Sequence, residues 1–499
     1  MRLHFRHLLA LGSLALIGAP LLAVLYELSQ SQDLNLWQWF TKATTQTLLW
    51  RTLTLVFSVC GATIVLGTLS AVLLARTQLR LVKLWLTLAI LPLAIPSYIG
   101  AFAWLSATGL RGFLGSWLVL TLACTPYVTI SVYAALLRSN PNLEATARTL
   151  GKPTLLAFWH GTLRECVPAI LGGGLIAGLY TVADFGVVSL MRFPTLTSAI
   201  HTAYTATFNR DYAYFLSLLL VVVGAIIVSL EHFYRQRVKQ GQSTTSFTQS
   251  RYHLGKLTPL SYLFLLLSTL LALGMPILVL LQRTIQAIAS EQLELLRLLV
   301  AAGNTLALGL AAAFVATLVA YPIASLSLYR RDQLSRIIDF SAYLAHAFPS
   351  LTVALAVVAL LLKFAPQIYQ TVLALLVAYV IIFVPRAIAP IRQGLAQVPL
   401  SLTDTAKTLT RPPWFIWLRV TFPIAGPSFF AGLLLVAISI MKELPATLIL
   451  RPTNLDTLAT RMWQLTDIQA HASAAPYGLA LVLIALVPTF LLVKQSAQA

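Results

Sequence analysis

Apolar stretches long enough to cross a membrane alternate with short polar segments along almost the whole chain. We count twelve of about the 20 residues that a membrane-spanning helix requires. They are continuously apolar rather than alternating, which favours helices over the strands of a β-barrel. They lie at residues 8–28, 53–75, 84–107, 114–137, 167–190, 213–233, 259–282, 299–327, 338–362, 369–391, 424–448 and 476–493. The pattern predicts an all-α, polytopic membrane protein with about 12 transmembrane helices.

Several of these stretches contain proline, including Pro92, Pro96, Pro349 and Pro385. Membrane helices tolerate proline because neighbouring helices can satisfy the backbone groups that it leaves without a partner. We therefore expect each stretch, including 84–107, to form one span.

Composition agrees with a membrane protein. Hydrophobic residues make up 58% of the chain, charged residues 10%, and the mean hydropathy is +0.83. Soluble domains carry roughly 25% charged residues. Cys60, Cys124 and Cys166 lie in or beside spans, and we expect them to be packing residues without a disulfide or a metal.

The net charge of +19 does not indicate nucleic-acid binding, because most basic residues fall on alternate polar segments. This is the positive-inside bias of membrane proteins. It places both termini in the cytoplasm, with the Arg2 and Lys494 ends on the same side. A signal peptide is the alternative for the first stretch, but no clear cleavage site follows it, so we expect a retained span.

The chain contains an internal repeat. Residues 146–168 and 405–427 are similar at an offset of 259, and other matches extend the repeat over both halves. The matched pairs are Thr146/Thr405, Leu150/Leu409, Pro153/Pro412, Thr162/Thr421, Pro168/Pro427, Thr52/Thr305, Arg76/Arg330, Pro96/Pro349, Asp184/Glu443 and Arg192/Arg451. We predict two parallel six-helix repeats about a pseudo-two-fold axis, as in some transporters.

The repeat predicts the domain organisation. Residues 1–233 form the first transmembrane half, with a core at about 50–233, and 259–499 form the second, with a core at about 299–494. Residues 234–258, polar and basic, are a predicted cytoplasmic linker.

Two polar loops stand at equivalent places in the repeat, between the fourth and fifth spans of each half. We call residues 144–164 loop A and residues 404–423 loop B. In loop A, Pro153 shortly after Gly151 predicts a break between two helices. Exposed aromatic side chains on such a loop can fill a groove of a partner. The alternative is an amphipathic helix resting on lipid headgroups.

Loops A and B resemble the coupling-helix signature of binding-protein-dependent ABC importer permeases, E-A-A-x3-G-x9-I-x-L-P. The match is partial, since Glu144 lies one place early and Thr410 replaces the glycine. The resemblance implies a type I importer fold and contact with an ATPase. The residues that it assigns to coupling are Glu144, Ala147, Gly151, Pro153, Leu163, Asp404, Ala406, Thr410, Pro412 and Pro423.

A second segment, Lys442-Glu-Leu-Pro-Ala-Thr-Leu-Ile-Leu-Arg-Pro452, resembles a string in ferric-iron importer permeases, and residues 183–193 resemble its counterpart. The resemblance implies that iron(III) is delivered by a periplasmic binding protein and imported by alternating access. Permeases for thiamine, sulfate or polyamines are the alternatives. A secondary transporter is less favoured, because the spans have few charges near their centres. A non-transport scaffold or receptor is less favoured, because it would not need duplicated loops.

Asp184 and Glu443 occupy equivalent positions near the outer ends of their spans. Iron(III) prefers oxygen ligands, so both carboxylates are candidates for the translocation path. The alternative is structural: Asp184 would pair with Arg192, and Glu443 with Lys442 or Arg451. Tyr98, Tyr180, Tyr343 and His346 are weaker ligand candidates, and no metal site is assigned.

The sequence lacks a phosphate-binding G-x-x-x-x-G-K-[ST] loop, so we expect no catalytic residues and no cofactor on this chain. ATP and Mg would belong to two cytoplasmic ATPase subunits. We expect a bacterial inner-membrane location in the lipid bilayer, an iron(III)-binding protein outside, and no nucleic acid.

Overall fold

The structure is a computed structural model, and it describes residues 2–31, 35–241, 251–329, 340–342, 344–408 and 412–498. These residues form helices and connecting loops, with one isolated β-bridge between Thr77 and Tyr252. Eight helices are long and apolar enough to cross a membrane. A bent helix pair and three shorter apolar helices overlap the other four predicted stretches. The predicted all-α, polytopic class is confirmed.

The described residues divide into two compact units. One consists of residues 35–208 and 219–282. Its helices are Leu36–Thr41, Ala43–Arg76, Val82–Ile90, Leu91–Ala94, Ser97–Thr108, Gly112–Arg138, Pro141–Thr149, Thr154–Ala157, Phe158–Leu163, Arg164–Ala183, Gly186–Leu190, Leu196–Thr205, Gly255–Leu257, Thr258–Thr269 and Leu270–Gly274, with parts of Arg210–Gly241 and Met275–Ala289.

The other unit consists of residues 1–34, 209–218 and 283–499. Its described helices are Arg2–Gln30, Leu295–Tyr329, Ala345–Ala347, Ser350–Phe364, Pro366–Ile368, Val372–Ala396, Leu400–Thr408, Pro413–Ile416, Trp417–Thr421, Phe422–Met441, Pro445–Leu450, Leu458–Asp467 and His471–Gln498. Helix Arg2–Gln30 packs on helices 295–329 and 350–364. Helix Thr258–Thr269 packs in the first-described unit, beside helix Val82–Ile90. The helix that begins each predicted half therefore belongs to the unit formed mainly by the other half of the sequence.

Each unit is built on the same three-helix core. Helix 43–76 packs on 112–138 and 164–183 in one unit, and helix 295–329 packs on 372–396 and 422–441 in the other. Small residues allow the close approach that membrane helices use. A Cβ at Gly67 or Gly173 would come within 3 Å of Val128. The helices of each core correspond in order along the repeat.

A hydrogen bond at one end of each core also recurs. The Thr52 hydroxyl accepts the Leu196 N–H at 3.0 Å, and the Thr305 hydroxyl accepts the Leu458 N–H at 2.9 Å. In each unit the accepting threonine ties the first core helix to the start of a short helix that opens with a capping box. The Thr52/Thr305 match of the sequence repeat is therefore a structural equivalence.

The predicted span 84–107 is broken into two helices. Helices Val82–Ala94 and Ser97–Thr108 meet at a bend of 91°. Proline disfavours the helical conformation of the residue before it, and Ile95 is accordingly extended, at φ −85° and ψ 121°. Phe348, before Pro349, is extended in the same way at φ −81° and ψ 111°. Both prolines of the matched pair Pro96/Pro349 thus end one helix and begin another.

Candidate functional site

Loop A folds as the predicted helix, break and second helix. Asn140 caps helix Pro141–Thr149 by accepting the Asn142 N–H at 3.0 Å. At the other end Gly151 has a φ of +79°. The Lys152 N–H reaches the Ala147 carbonyl at 3.2 Å and the Gly151 N–H reaches the Arg148 carbonyl at 2.9 Å. These are the two hydrogen bonds of a Schellman motif, which places a left-handed residue just beyond a helix.

Pro153 then begins the second part of the loop. Its carbonyl accepts the Ala157 N–H at 2.9 Å. A four-residue helix, Thr154–Ala157, continues through a π-helical turn, Phe158–Leu163, into helix Arg164–Ala183. Gly161 in that turn lies so close to helix Pro141–Thr149 that a Cβ there would meet the Glu144 backbone at 2.8 Å. The two parts of loop A therefore form one closely packed hairpin.

Glu144, the acidic residue assigned to coupling, is buried at 2% exposure. Its carboxylate pairs with Arg76, and it accepts the Tyr252 hydroxyl. Arg148 donates to it at 2.7 Å, and the Thr162 hydroxyl at 3.0 Å. The signature alone pointed to Glu144. In the structure its carboxylate joins the two parts of loop A to each other and to Arg76.

Arg76 is fully buried beside Glu144. Its guanidinium lies 5.7 Å from the ring centres of both Phe158 and Tyr252, which fits cation–π contacts. A buried charge without a partner is costly, and the Arg76–Glu144 pair avoids this. Burial raises the pKa of the Tyr252 phenol, and its hydrogen bond to Glu144 raises it further. The phenol therefore keeps its proton and acts as a donor.

Loops A and B expose large apolar side chains at equivalent positions. Leu155 is 80% exposed and Trp159 61% exposed. Their equivalents at the offset of 259, Trp414 and Leu418, are 68% and 49% exposed. The other described coupling residues, Ala147 and Leu163, are buried or half-buried within loop A. The two loops thus expose large apolar side chains at matching positions of the repeat.

Loop B repeats this architecture with one difference. Helix Leu400–Thr408 is followed by Pro413–Ile416 and a π-helical turn, Trp417–Thr421. The Pro412 carbonyl accepts the Phe415 N–H at 3.0 Å, and Pro423 lies in the first turn of the next helix. Asp404 is exposed and Ala406 half-buried, whereas Glu144 is buried. Thr410 lies outside the described residues, so its predicted role stays a prediction.

Asp184 and Glu443 cap two equivalent short helices. Asp184 Oδ1 accepts the Val187 N–H at 2.8 Å, and Ser97 donates to Oδ2. Glu443 Oε1 accepts the Ala446 N–H at 3.1 Å, and Ser350 hydrogen-bonds to the same carboxyl group. Each serine directly follows a helix-breaking proline, so each carboxylate joins two helix starts.

Arg451, one of the two cations proposed to pair with Glu443, has another partner in the structure. Arg451 pairs with Asp456 and donates to the Leu455 carbonyl at 2.9 Å. The sequence alternative that placed Glu443 with Arg451 is therefore wrong. Glu443 instead lies in the field of Arg386.

The remaining ligand candidates are only partly described by the structure. Within the described residues, no group of three or more His, Cys, Asp or Glu side chains could hold a metal ion. Tyr180 packs 5.9 Å from Tyr127 and hydrogen-bonds to Ser97, and Tyr98 is buried. Tyr343 and the His346 side chain lie outside the described residues. Cys60, Cys124 and Cys166 are free thiols.

Several residues that hold these sites had no predicted role. The repeat marked Arg76, Thr162 and the pair Ser97/Ser350 without giving them a role. Tyr252 carried no signal, because its partner Glu144 is 108 residues away in the sequence.

Two segments of the chain, residues 63–240 and 312–495, match the family described as the binding-protein-dependent transport system inner membrane component. The two matches confirm that the chain carries the family domain twice. They contain the whole of loops A and B and both capping carboxylates.

Individual relatives differ in how much of the chain they cover. The Fe(3+)-transport system permease protein FbpB 2 of Haemophilus influenzae is 30% identical over 499 residues, covering 96% of both chains. The molybdenum transport system permease protein ModB of Mycobacterium tuberculosis is 27% identical over 242 residues, covering 44% of this chain and 90% of that protein. The putrescine transport system permease protein PotI of Escherichia coli is 26% identical over 242 residues, covering 44% of this chain and 86% of its own.

Proposed function

This chain belongs to the binding-protein-dependent transport system inner membrane components, and from that premise we propose that its substrate is iron(III). The chain is a multi-pass permease of the ABC importer class. Iron(III) is the substrate named for a relative that matches both halves, whereas the molybdenum and putrescine permeases match 44% of the chain. That end-to-end similarity is the observation that carries the proposal. The segment Lys442–Pro452, which resembles ferric permeases, supports it.

We further propose that two ATPase subunits, which carry ATP and Mg, grip loops A and B from the cytoplasm. The support is the matched exposure of Leu155/Trp414 and Trp159/Leu418 on loops of the same architecture. An apolar side chain that fills a groove of a partner contributes more to binding than the polar rim around it. Closure of the ATPase pair would move both loops, and a loaded binding protein outside would deliver the ion.

Alternating access then requires that ATP bind one conformation of the complex more tightly than the other. Loop A can transmit such a displacement, because the buried Glu144–Arg76 pair joins it to helix Ala43–Arg76. Thr162 holds the second part of the loop to Glu144, and that part continues into helix Arg164–Ala183. A loop joined to the spans by exposed, flexible side chains would move without them.

For Asp184 and Glu443 we propose the structural role. Each carboxylate accepts a helix N–H and a serine hydroxyl, and Glu443 also lies in the field of Arg386. A nearby cation makes a position less favourable for a trivalent metal ion. The two residues would shape the ends of the path rather than bind the ion.

The deciding experiment is uptake into proteoliposomes that contain the chain, its ATPase and its binding protein. We expect ATP-dependent uptake of labelled iron(III), and no uptake of molybdate, putrescine, sulfate or thiamine. Uptake of one of these in place of iron(III) would overturn the proposed substrate. Uptake that persists without ATP would point to a secondary transporter.

A second experiment tests the contact with the ATPase. Trp159→Ser combined with Leu418→Ser should abolish co-purification of the ATPase. The control Leu483→Ser, at an exposed residue of a span, should not.

A further inference from the structure

We propose that the linker ends in a brace for loop A, and that Tyr252 is the positioning residue that holds helix Pro141–Thr149 against the end of helix Ala43–Arg76. The inference deepens the proposed function and rests on it, because loop A is where an ATPase would push. It concerns residues 251–254, which the linker contributes next to the first helix of the second predicted half.

Backbone contacts fix this segment first. The Tyr252 N–H donates to the Arg76 carbonyl at 2.7 Å, and the Gln78 N–H donates to the Tyr252 carbonyl at 3.1 Å. Together they form the isolated parallel bridge between Thr77 and Tyr252. The side chains of Gln78 and His253 add a contact of 3.4 Å. The end of the linker is therefore paired with the residues that leave helix Ala43–Arg76.

The side chain of Tyr252 then reaches loop A. Its hydroxyl donates to Glu144 and accepts Arg148 at 3.1 Å. Its ring centre lies 5.7 Å from the guanidinium of Arg76 and 5.4 Å from that of Arg148, and the ring meets Phe158 edge to face at 6.0 Å. One side chain thus contacts both parts of the loop A hairpin and the buried cation beneath it.

The contact matters because the other partners of Glu144 cannot replace it. Arg76 and Thr162 bind Oε2, while Oε1 accepts Tyr252 and Arg148. The Arg148 side chain is 42% exposed, and exposed ion pairs hold a geometry weakly. Without the phenol, Oε1 keeps only that partner. Packed rings and buried hydrogen bonds move together when one of them is displaced. Contiguous contacts of this kind can carry coupling between two sites.

The end of the linker lies beside residues 76–78 and also leads into the next helix of the same unit. Residues 251–257 connect the linker to helix Thr258–Thr269, which packs in the same unit. The Arg80 N–H donates to the hydroxyl of Tyr262 in that helix at 2.8 Å. The linker is therefore more than a tether between two halves, since its end completes the base of one coupling loop.

The test compares Tyr252→Phe with Tyr262→Phe in the full-length chain. Both changes remove one hydroxyl and keep the ring, but only Tyr252 contacts Glu144. Hydrogen exchange is measured across residues 141–163, with helix Gly112–Arg138 as the internal reference. We expect Tyr252→Phe to speed exchange in 141–149 at least tenfold and to leave the reference within twofold. Tyr262→Phe should leave both segments within twofold.

The second measurement uses the assembled transporter with iron(III) and counts ATP hydrolysed per ion imported. We expect that ratio to rise at least threefold in Tyr252→Phe and to stay unchanged in Tyr262→Phe. Unchanged exchange in 141–149 would overturn the brace, and so would an equal loss of protection in the reference helix. If the wild-type complex imports no iron(III), the proposed substrate fails, while the exchange measurement still decides the brace.

Discussion

At the scale of single residues, the carboxylates of Asp184 and Glu443 were candidates for the ion path, and in the structure they cap helices. Glu443 Oε1 accepts the Ala446 N–H, and a glutamine would offer the same oxygen. We expect Glu443→Gln to keep iron uptake per assembled complex within about twofold. Glu443→Ala removes the cap and should lower the stability by about 1 kcal/mol, measured as thermal unfolding of the purified complex.

Uptake per folded complex separates the two roles of Glu443. A tenfold loss in Glu443→Gln, with normal yield and stability, would assign the carboxylate charge to the translocation path. Asp184→Asn is the matched variant in the other unit, since Asp184 caps the Val187 N–H in the same way. The two variants should behave alike.

Arg76 provides a second prediction for a single residue. Its guanidinium is fully buried and its partner Glu144 is 3% exposed. Breaking a buried ion pair costs about 3–5 kcal/mol, because the remaining charge has lost its counter-ion. Glu144 keeps its other hydrogen bonds, among them those from Arg148 and Thr162. We therefore expect Arg76→Met to lower the free energy of unfolding by about 3 kcal/mol, the low end of that range, measured by thermal or denaturant unfolding. Adding Glu144→Gln should recover part of that loss, and a further loss would contradict the pairing.

Residue roles were predictable where the signal was local. The turn at Gly151 and Pro153 follows from residue types that favour helix ends, and the structure has the Schellman hydrogen bonds there. The role of Tyr252 was not predictable, because it depends on a contact across 108 residues and on burial that no neighbouring residue signals. The buried state of Glu144 was unpredictable for the same reason: its partners Arg76 and Tyr252 come from other elements.

At the scale of elements, the turn at Gly151 controls the direction of loop A. Its φ of +79° is unavailable to proline, which fixes φ near −65°. Proline also removes the N–H that donates to the Arg148 carbonyl. We expect Gly151→Pro to break the hairpin and to uncouple ATP hydrolysis from uptake while the spans stay folded. Gly151→Ala should give a milder defect, costing about 1 kcal/mol of local strain.

A matched control for Gly151 is Gly172→Ala, since a Cβ at Gly172 meets nothing within 4 Å and its backbone needs no left-handed conformation. The measurement is binding-protein-stimulated ATPase activity together with uptake. Charge reversal at the exposed Asp404 should uncouple in the same way from loop B. If both variants kept normal stimulation and uptake, loops A and B would not be the coupling elements.

Most elements were predictable because hydropathy alone marks a span. The exceptions are the ends of the spans. The predicted stretches 167–190 and 424–448 stop as helices at Ala183 and Met441, and each continues as a short separate helix. An apolar run does not reveal that Asp184 or Glu443 will cap a new helix, and it did not reveal the 91° bend before Ser97.

At the scale of the whole molecule, the repeat accounts for two units with equivalent three-helix cores, but hydropathy could not assign the first helix of each half. The middle of helix Arg2–Gln30 and most of helix Thr258–Thr269 are apolar, so periodicity does not indicate which neighbours these helices pack against. Their packing depends on the shape of the cores, which a linear pattern does not contain. Both of these helices lie entirely outside the family matches at 63–240 and 312–495.

The orientation of the chain in the membrane is a prediction of charge. Basic residues cluster at Arg235, Arg237 and Lys239 after one span, and twelve alternating spans return Lys494 to the side of Arg2. Lysine and arginine near span ends favour the cytoplasmic side. Reporter fusions after residue 245 should therefore give a cytoplasmic signal, and fusions near 205 and 465 a periplasmic one. Alkaline phosphatase and a cytoplasmic fluorescent reporter at each position make the measurement. A periplasmic signal at 245 would place loops A and B outside the cytoplasm, where no ATPase could reach them. That result would reject the coupling role of both loops.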